Sequence, residues 1–226
     1  MDSKKRTRLA LVGVLALAVS VVAGLSLSGS AAAKKKSKAG GTVDITMPVN
    51  QQVPDAVVTS PTTQTNGVLI STITVGGKKF KGTKVRDANV TVQGNGNAAT
   101  GSGAASDLTI RLTAPNGATT WLVGNQFFGQ SFGPTTFDDE SINTIGGGPP
   151  PAPDPTTLVS PYVGTAQPHC FSAQGGCTLS AMDGGPVTGV WTLRVIDNGT
   201  PPPTLTTILN SWRLQVVAGK AFQTKP

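Results

Sequence analysis

GVWTLRVID, residues Gly189–Asp197, and LNSWRLQV, residues 209–216, are two tryptophan-centred segments that decide the fold of this chain. In both segments apolar side chains alternate with polar ones, and successive side chains of a β-strand point to opposite faces. Both are therefore predicted to be half-buried antiparallel strands. The apolar residues on their buried faces form the predicted core: Trp191, Leu193, Val195, Trp212, Leu214 and Val216.

Further strands are predicted upstream of these two. Residues 68–75 are rich in β-branched side chains, and residues 88–92 alternate until glycines and asparagines at 94–97 are predicted to end the strand. Residues 108–112 alternate again, and the turn sequence Pro115-Asn116-Gly117 predicts a hairpin with the strand that follows. With 28 glycines and 17 prolines among 226 residues, the pattern predicts an all-β antiparallel sandwich.

Four blocks of this sequence, in this order, resemble the P domain (P/Homo B domain) of subtilisin-like proprotein convertases and secreted bacterial proteases. They are residues 106–117, 136–140, 189–197 and 209–216. The resemblance spans roughly residues 65–217 and includes no protease catalytic domain. It implies a jelly-roll-like (galactose-binding-like) antiparallel β-sandwich. In convertases this domain packs beside the catalytic domain and supports its folding, pH behaviour and calcium dependence.

The amino-terminal residues have the features of a secretion signal. Basic residues precede an apolar run from residue 9 to 27, and Ala31-Ala32-Ala33 is a small-residue cleavage site. Residues 1–33 are therefore predicted to be a signal peptide that sends the protein to the outside or to the cell surface. The alternative is an uncleaved membrane anchor, because the run approaches the ~20 residues needed to span a bilayer.

Three further segments complete the predicted domain organisation. Residues 34–64 are a basic and polar linker or a strand-like lead-in packed on the domain, and the pattern leaves both open. Residues 65–219 are the P-domain β-sandwich, and residues 220–226 are a carboxyl-terminal tail. Pro201-Pro202-Pro203 lies between the tryptophan strands, where family members usually have a shorter turn.

The positive charge is concentrated at the amino terminus. Eight of the 18 basic residues and one of the 11 acidic residues precede residue 39, which leaves ten of each for the rest of the chain. A nucleic acid is therefore not an expected partner, since the neutral remainder has no aromatic stacking platform among its basic residues. The lysines at 34–38 are either a solvated spacer or a contact for anionic wall polymer or lipid headgroups.

No catalytic motif stands out. The single histidine, His169, is next to Cys170, and no Gly-x-Ser-x-Gly sequence surrounds a serine. The chain is therefore predicted not to be an enzyme, although the family it resembles is associated with serine endopeptidases. Cys170 and Cys177 are predicted to form a disulfide, because paired cysteines in an exported protein usually oxidise.

The densest carboxylate group is Asp138-Asp139-Glu140. Calcium prefers oxygen ligands on loops, and some bacterial P domains bind it, so Asp138 and Asp139 are candidate calcium ligands, with Asp107 or Asp183 as more distant partners. The alternative is that one carboxylate caps a turn while the others face water.

Three classes of function follow. The first is a secreted, non-catalytic accessory or binding module for a secreted protease or another extracellular protein. The second is a cell-surface or wall-associated module that binds glycan or another wall polymer. The third is a hydrolase built around His169.

Overall fold

The computed structural model of the chain describes residues 40–60, 63–97, 108–124, 131–145, 157–158, 162–169, 177–199 and 206–220. The predicted signal peptide, the lysine run at 34–38 and most of the proline-rich segments lie outside these residues. Within them, no helix is both long and apolar enough to cross a membrane.

Almost all the regular structure is β. In chain order the elements are β1 Thr42–Val53, β2 Val57–Ser60, β3 Thr63–Thr65, β4 Gly67–Val75, β5 Lys84–Asn97, β6 Leu108–Thr113, β7 Thr119–Val123, β8 Ser131–Phe137, β9 Thr144–Ile145, β10 Thr157–Leu158, β11 Tyr162–Ala166, the 3₁₀ turn η1 Leu179–Met182, β12 Gly189–Asp197 and β13 Thr206–Gly219.

Two sheets form the sandwich. The larger has five strands in the order β1-β13-β5-β8-β11, and the smaller has four in the order β4-β12-β6-β7. Their inner faces supply one buried hydrophobic cluster, which includes Leu112 and Leu193 from the smaller sheet and Val90 and Leu214 from the larger. The predicted all-β sandwich is confirmed. The predicted β6–β7 hairpin is also present, and the Ala114 N–H donates to the Ala118 carbonyl at 2.8 Å across its turn.

The two tryptophan strands lie in different sheets and do not pair with each other. β12 pairs with β4 and β6, whereas β13 pairs with β1 and β5. Trp191 and Trp212 are at most 1% exposed, and each indole N–H has an acceptor. That of Trp191 donates to the Val187 carbonyl at 3.0 Å, and that of Trp212 donates across the core to Ser71 Oγ at 2.9 Å. The other four predicted core residues are at most 2% exposed.

Strand β1 lies within residues 34–64, for which the sequence left open a linker or a strand-like lead-in. β1 pairs antiparallel with β13 from Thr42 opposite Val217 to Val53 opposite Thr207. Residues Thr42–Val53 therefore form a strand of the sandwich. β1 contains Pro48 and is an edge strand, where a residue without an amide donor is tolerated.

The expected end of one strand was wrong. β5 does not end at Gly94 but continues to Asn97 beside β13. Gly94 permits this, because a Cβ atom there would lie 2.9 Å from the Ile208 carbonyl oxygen. The sheets are antiparallel as predicted except at the edge of the larger one, where β11 runs parallel to β8.

Candidate functional site

Asp139 links the turn after β8 to the 3₁₀ turn η1. Its Oδ1 accepts the backbone N–H of Leu179 at 2.9 Å. Its Oδ2 accepts the backbone N–H of Ser180 at 2.7 Å and the Ser180 hydroxyl at 2.5 Å. A carboxylate that satisfies otherwise unpaired amides at the start of a helical turn acts as a cap. Asp139 therefore anchors η1, whose Leu179 and Met182 are buried in the core.

Asp138 shapes the turn itself. Its Oδ1 accepts the backbone N–H of Glu140 at 2.9 Å, the hydrogen bond of an Asx turn. Its own backbone N–H donates to the Ala166 carbonyl of β11 at 3.0 Å. Both predicted metal ligands therefore have structural partners, and Asp139 uses both of its carboxylate oxygens.

A group of carboxylates surrounds this turn. Burial raises the pKa of Asp87, and the negative charges of Asp138 and Asp139 raise it further. Burial likewise raises the pKa of Asp183, assisted by Asp87 and Asp139 and opposed by the positive charge of Arg86. Acidic side chains from β5, from the turn after β8 and from the end of η1 thus repel one another.

This arrangement forms an anionic surface. Among the described residues, no group of three or more His, Cys, Asp or Glu side chains is placed to hold a metal ion together. Asp107, one of the predicted distant partners, lies outside those residues. A cation near these carboxylates would relieve their repulsion, and the calcium site stays a prediction.

Asp183→Asn should stabilise the protein at neutral pH, by at most about 1 kcal/mol because solvent screens a partly exposed carboxylate. A folded-state pKa above the unfolded one means that ionisation disfavours the folded state. The native chain therefore loses this stability as the pH rises from about 3.8 through the raised pKa, and the variant does not. Thermal melts between pH 3 and pH 8 measure the difference.

Asp44→Asn is the matched control of opposite sign. Arg213 donates two hydrogen bonds to the Asp44 carboxylate, and these hold its pKa below the usual value. That stability is present above the unfolded pKa and is lost as the pH falls through the folded one. Asp44→Asn should therefore lower the melting temperature at neutral pH. A destabilised Asp183→Asn variant at pH 7 would contradict the assignment of repulsion.

His169 is attached to the end of β7 through its backbone. Its N–H donates to the Leu122 carbonyl at 3.0 Å, and its carbonyl accepts the N–H of Gly124 at 2.9 Å. Burial lowers the pKa of the imidazole, which favours the neutral form. These backbone contacts fix the position of His169 beside β7.

The described residues include only one of the two cysteines that are predicted to pair. Cys177 is disulfide-bonded and is not a free thiol. Cys170 lies outside the described residues, so the pairing of these two cysteines stays a prediction.

The sequence reasoning missed a basic and aromatic group on the outer face of the smaller sheet. The Arg111 guanidinium carbon lies 3.4 Å from the centre of the Trp121 ring, and Arg194 is the cross-strand neighbour of Arg111. The available signal was alternation, because each of these residues lies between two inward-facing ones. Side chains on three different strands could not be placed side by side without knowing how those strands pair.

No protein-family model matches the chain, and no curated protein matches it closely enough to count as a relative.

Proposed function

We propose that this chain is an exported, non-catalytic P-domain-like module that binds and supports a secreted subtilisin-like serine endopeptidase in proteolysis. The observation that carries the proposal is the relation among the four blocks. Within the blocks at 106–117 and 189–197, β6 and β12 pair antiparallel from Leu108 opposite Asp197 to Thr113 opposite Thr192. The block at 136–140 anchors η1 through Asp139, and the block at 209–216 lies within β13, an interior strand of the larger sheet between β1 and β5.

A binding role follows from where polar and charged groups lie. The buried inner faces stabilise the sandwich. Charged groups lie at the surface in two regions: the acidic turn, which is Asp138-Asp139-Glu140, and the outer face of the smaller sheet around Arg111 and Arg194. A domain with a rigid core and charged outer surfaces is suited to recognition, and recognition sites are commonly built on such scaffolds. The absence of a nucleophile motif from the sequence favours binding over hydrolysis.

The test uses the full chain with a carboxyl-terminal tag, incubated with the secreted and wall fractions of the source organism. Retention of a specific serine endopeptidase, together with a longer half-life of its activity at raised temperature, would support the proposal. Hydrolysis of an ester substrate by the pure chain, abolished by His169→Ala, would replace it with the hydrolase reading.

A wall-associated module is the second candidate, favoured by the lysines at 34–38. Retention of the chain by purified wall polymer, lost when these lysines are replaced by glutamine, would favour it. Retention of the peptidase by the same lysine variant would instead leave the first proposal in place.

We also propose that the acidic turn binds calcium, with Asp138 and Asp139 as the metal ligands and Asp183 beside them. The repulsion that raises the pKa of Asp87 and Asp183 supports this, because a bound cation would remove it. A ligand present at 100 times its Kd stabilises the folded state by about 2.7 kcal/mol. Millimolar calcium should therefore raise the melting temperature relative to excess chelator, and Asp138→Asn should reduce that rise.

Magnesium is the control for a general charge effect. An equal rise with magnesium would indicate screening and not a calcium site, because magnesium prefers a smaller octahedral set of ligands. Melts that coincide in calcium and chelator would contradict the proposal.

A further inference from the structure

The outer face of the smaller sheet carries a row of four side chains, one from each strand. The strand pairing places Arg194 opposite both Ile70 and Arg111, and Arg111 opposite Trp121. Neighbouring strands are about 4.8 Å apart, so the row spans roughly 14 Å. Leu193 and Val195, on either side of Arg194, face the core, so these four side chains share the opposite face.

The two arginines at the middle of this row are cross-strand neighbours. Neither has a carboxylate partner within the residues that the structure describes, and the Nε of Arg111 is buried with no hydrogen-bond acceptor. Like charges directly opposite each other on paired strands are destabilising. Burial and the charge of Arg194 both lower the pKa of Arg111. The positive charge of this arginine pair is therefore not balanced by a carboxylate among the described residues, and a negatively charged ligand would stabilise it.

Trp121 holds one of these guanidinium groups in place. The distance of 3.4 Å between the Arg111 guanidinium carbon and the ring centre is that of direct stacking. A stacked arginine has fewer side-chain conformations to lose when a ligand arrives, and its remaining N–H groups stay directed for bidentate contact with a carboxylate.

Apolar and hydroxyl groups flank the charges. Ile70 is 60% exposed, and Val190, further along β12, is 50% exposed. A second row runs parallel to the first, with Thr192 opposite Thr72 and Thr113. Exposed aliphatic side chains beside a tryptophan and two arginines have the composition of a protein interface.

We infer that this Arg111–Arg194 face is a docking surface for a segment of another protein that carries a carboxylate beside an apolar side chain. The inference deepens the proposed function and rests on it. The carboxylate pairs with the two guanidinium groups, and the apolar side chain packs on Ile70 or Val190. A polysaccharide is a poorer fit, because Arg111 already covers one face of the indole on which a sugar ring would stack.

The test is titration of the ¹⁵N-labelled full chain with two 12-residue peptides, GSLEGLESLEGS and its glutamine version GSLQGLQSLQGS. The three indole N–H signals separate the sites, because Trp191 and Trp212 are at most 1% exposed while Trp121 is half-buried on the outer face. We expect the glutamate peptide to shift the signals of Trp121 and of the Arg111 Nε–H in a saturable way. The glutamine peptide should bind at least about tenfold more weakly, which corresponds to about 1.4 kcal/mol, because it offers the arginines no charged partner.

Variants assign the effect to this face. Arg194→Gln should weaken glutamate-peptide binding about tenfold, since one guanidinium partner of the carboxylate is lost. Arg213→Gln, on the other sheet, is the matched control and should leave the affinity unchanged. Raising the salt concentration should also weaken binding, because the charges are near the surface.

Several results would overturn the inference. Equal binding of both peptides would reduce the face to an apolar contact. Signal shifts with hyaluronan but with neither peptide would make the ligand a glycan. Concentration-dependent self-association that Arg194→Gln abolishes would make the occupant a second copy of the chain.

Failure of this inference is distinct from failure of the proposed function. A serine endopeptidase that Arg194→Gln captures as well as the native chain does would leave the function standing and remove this surface. Peptide binding without capture of any endopeptidase would leave this surface standing and remove the proposed function.

Discussion

Trp212→Ala is expected to lower the free energy of unfolding by about 3 to 5 kcal/mol, enough to prevent soluble expression if the domain is of ordinary stability. The indole is 1% exposed, so its removal leaves a cavity between two sheets that cannot collapse without bending β13. It also leaves the Ser71 hydroxyl without its donor across the core. Chemical denaturation followed by circular dichroism measures the change, and Trp191→Ala should behave alike.

Trp121→Ala is the matched control for this experiment. The same substitution is made on the outer face, where the lost contacts are with Arg111 and solvent, and the cost should stay within about 1 kcal/mol. Trp212→Phe extends the series, because it retains most of the buried volume and removes the hydrogen bond to Ser71. Equal stability of the native chain and Trp212→Ala would refute the core assignment.

Asp139→Ala is expected to cost about 1 to 3 kcal/mol, the second largest effect, because one carboxylate accepts three hydrogen bonds from η1. Without it the amides of Leu179 and Ser180 lose their acceptor, and the turn that buries Leu179 and Met182 loosens. Thermal melts give the global cost. Hydrogen exchange at the amides of Leu179 and Ser180 should quicken more than exchange within β12.

Asp139→Asn separates the hydrogen bonds from the charge. Its amide oxygen still accepts one bond, so the loss should be smaller than for alanine. Asp138→Ala, which breaks only the Asx turn to Glu140, is the neighbouring control. If Asp138→Ala proved as costly as Asp139→Ala, the anchoring of η1 would not be the source of the effect.

Strand positions and buried faces could be predicted wherever alternation was regular. The faces of β12 and β13 follow from their alternation alone, because the period of two in a strand is local. For residues 34–64 the sequence left a linker and a strand-like lead-in both open. Pro48 argues against a strand there until the edge position of β1 is known. Likewise, the sequence around Gly94 predicts the end of a strand. The close approach of the Ile208 carbonyl to Gly94 has no local signal, because the two residues are more than 100 positions apart.

The site residues divide in the same way. Asp138 and Asp139 could be singled out as a dense carboxylate group, and capping of a turn was one of the two readings. The residue that Asp139 caps lies 40 positions further along, at Leu179, and no local pattern indicates it. Arg111, Trp121 and Arg194 are ordinary outward positions of three strands, and only the order of the strands places them side by side.

The sequence by itself therefore determined what depends on neighbours along the chain: the β class, the buried faces of the tryptophan strands and the hairpin turn at Pro115-Asn116-Gly117. The tertiary structure alone decided that β12 and β13 lie in different sheets, that β1 belongs to the sandwich, and that Arg111 and Arg194 are neighbours with no carboxylate partner in the described part of the chain. The physical reason is that side-chain alternation records only whether a strand has a buried face. Which strand lies beside it depends on the packing of the whole core, and so does the chemistry of every surface that several strands share.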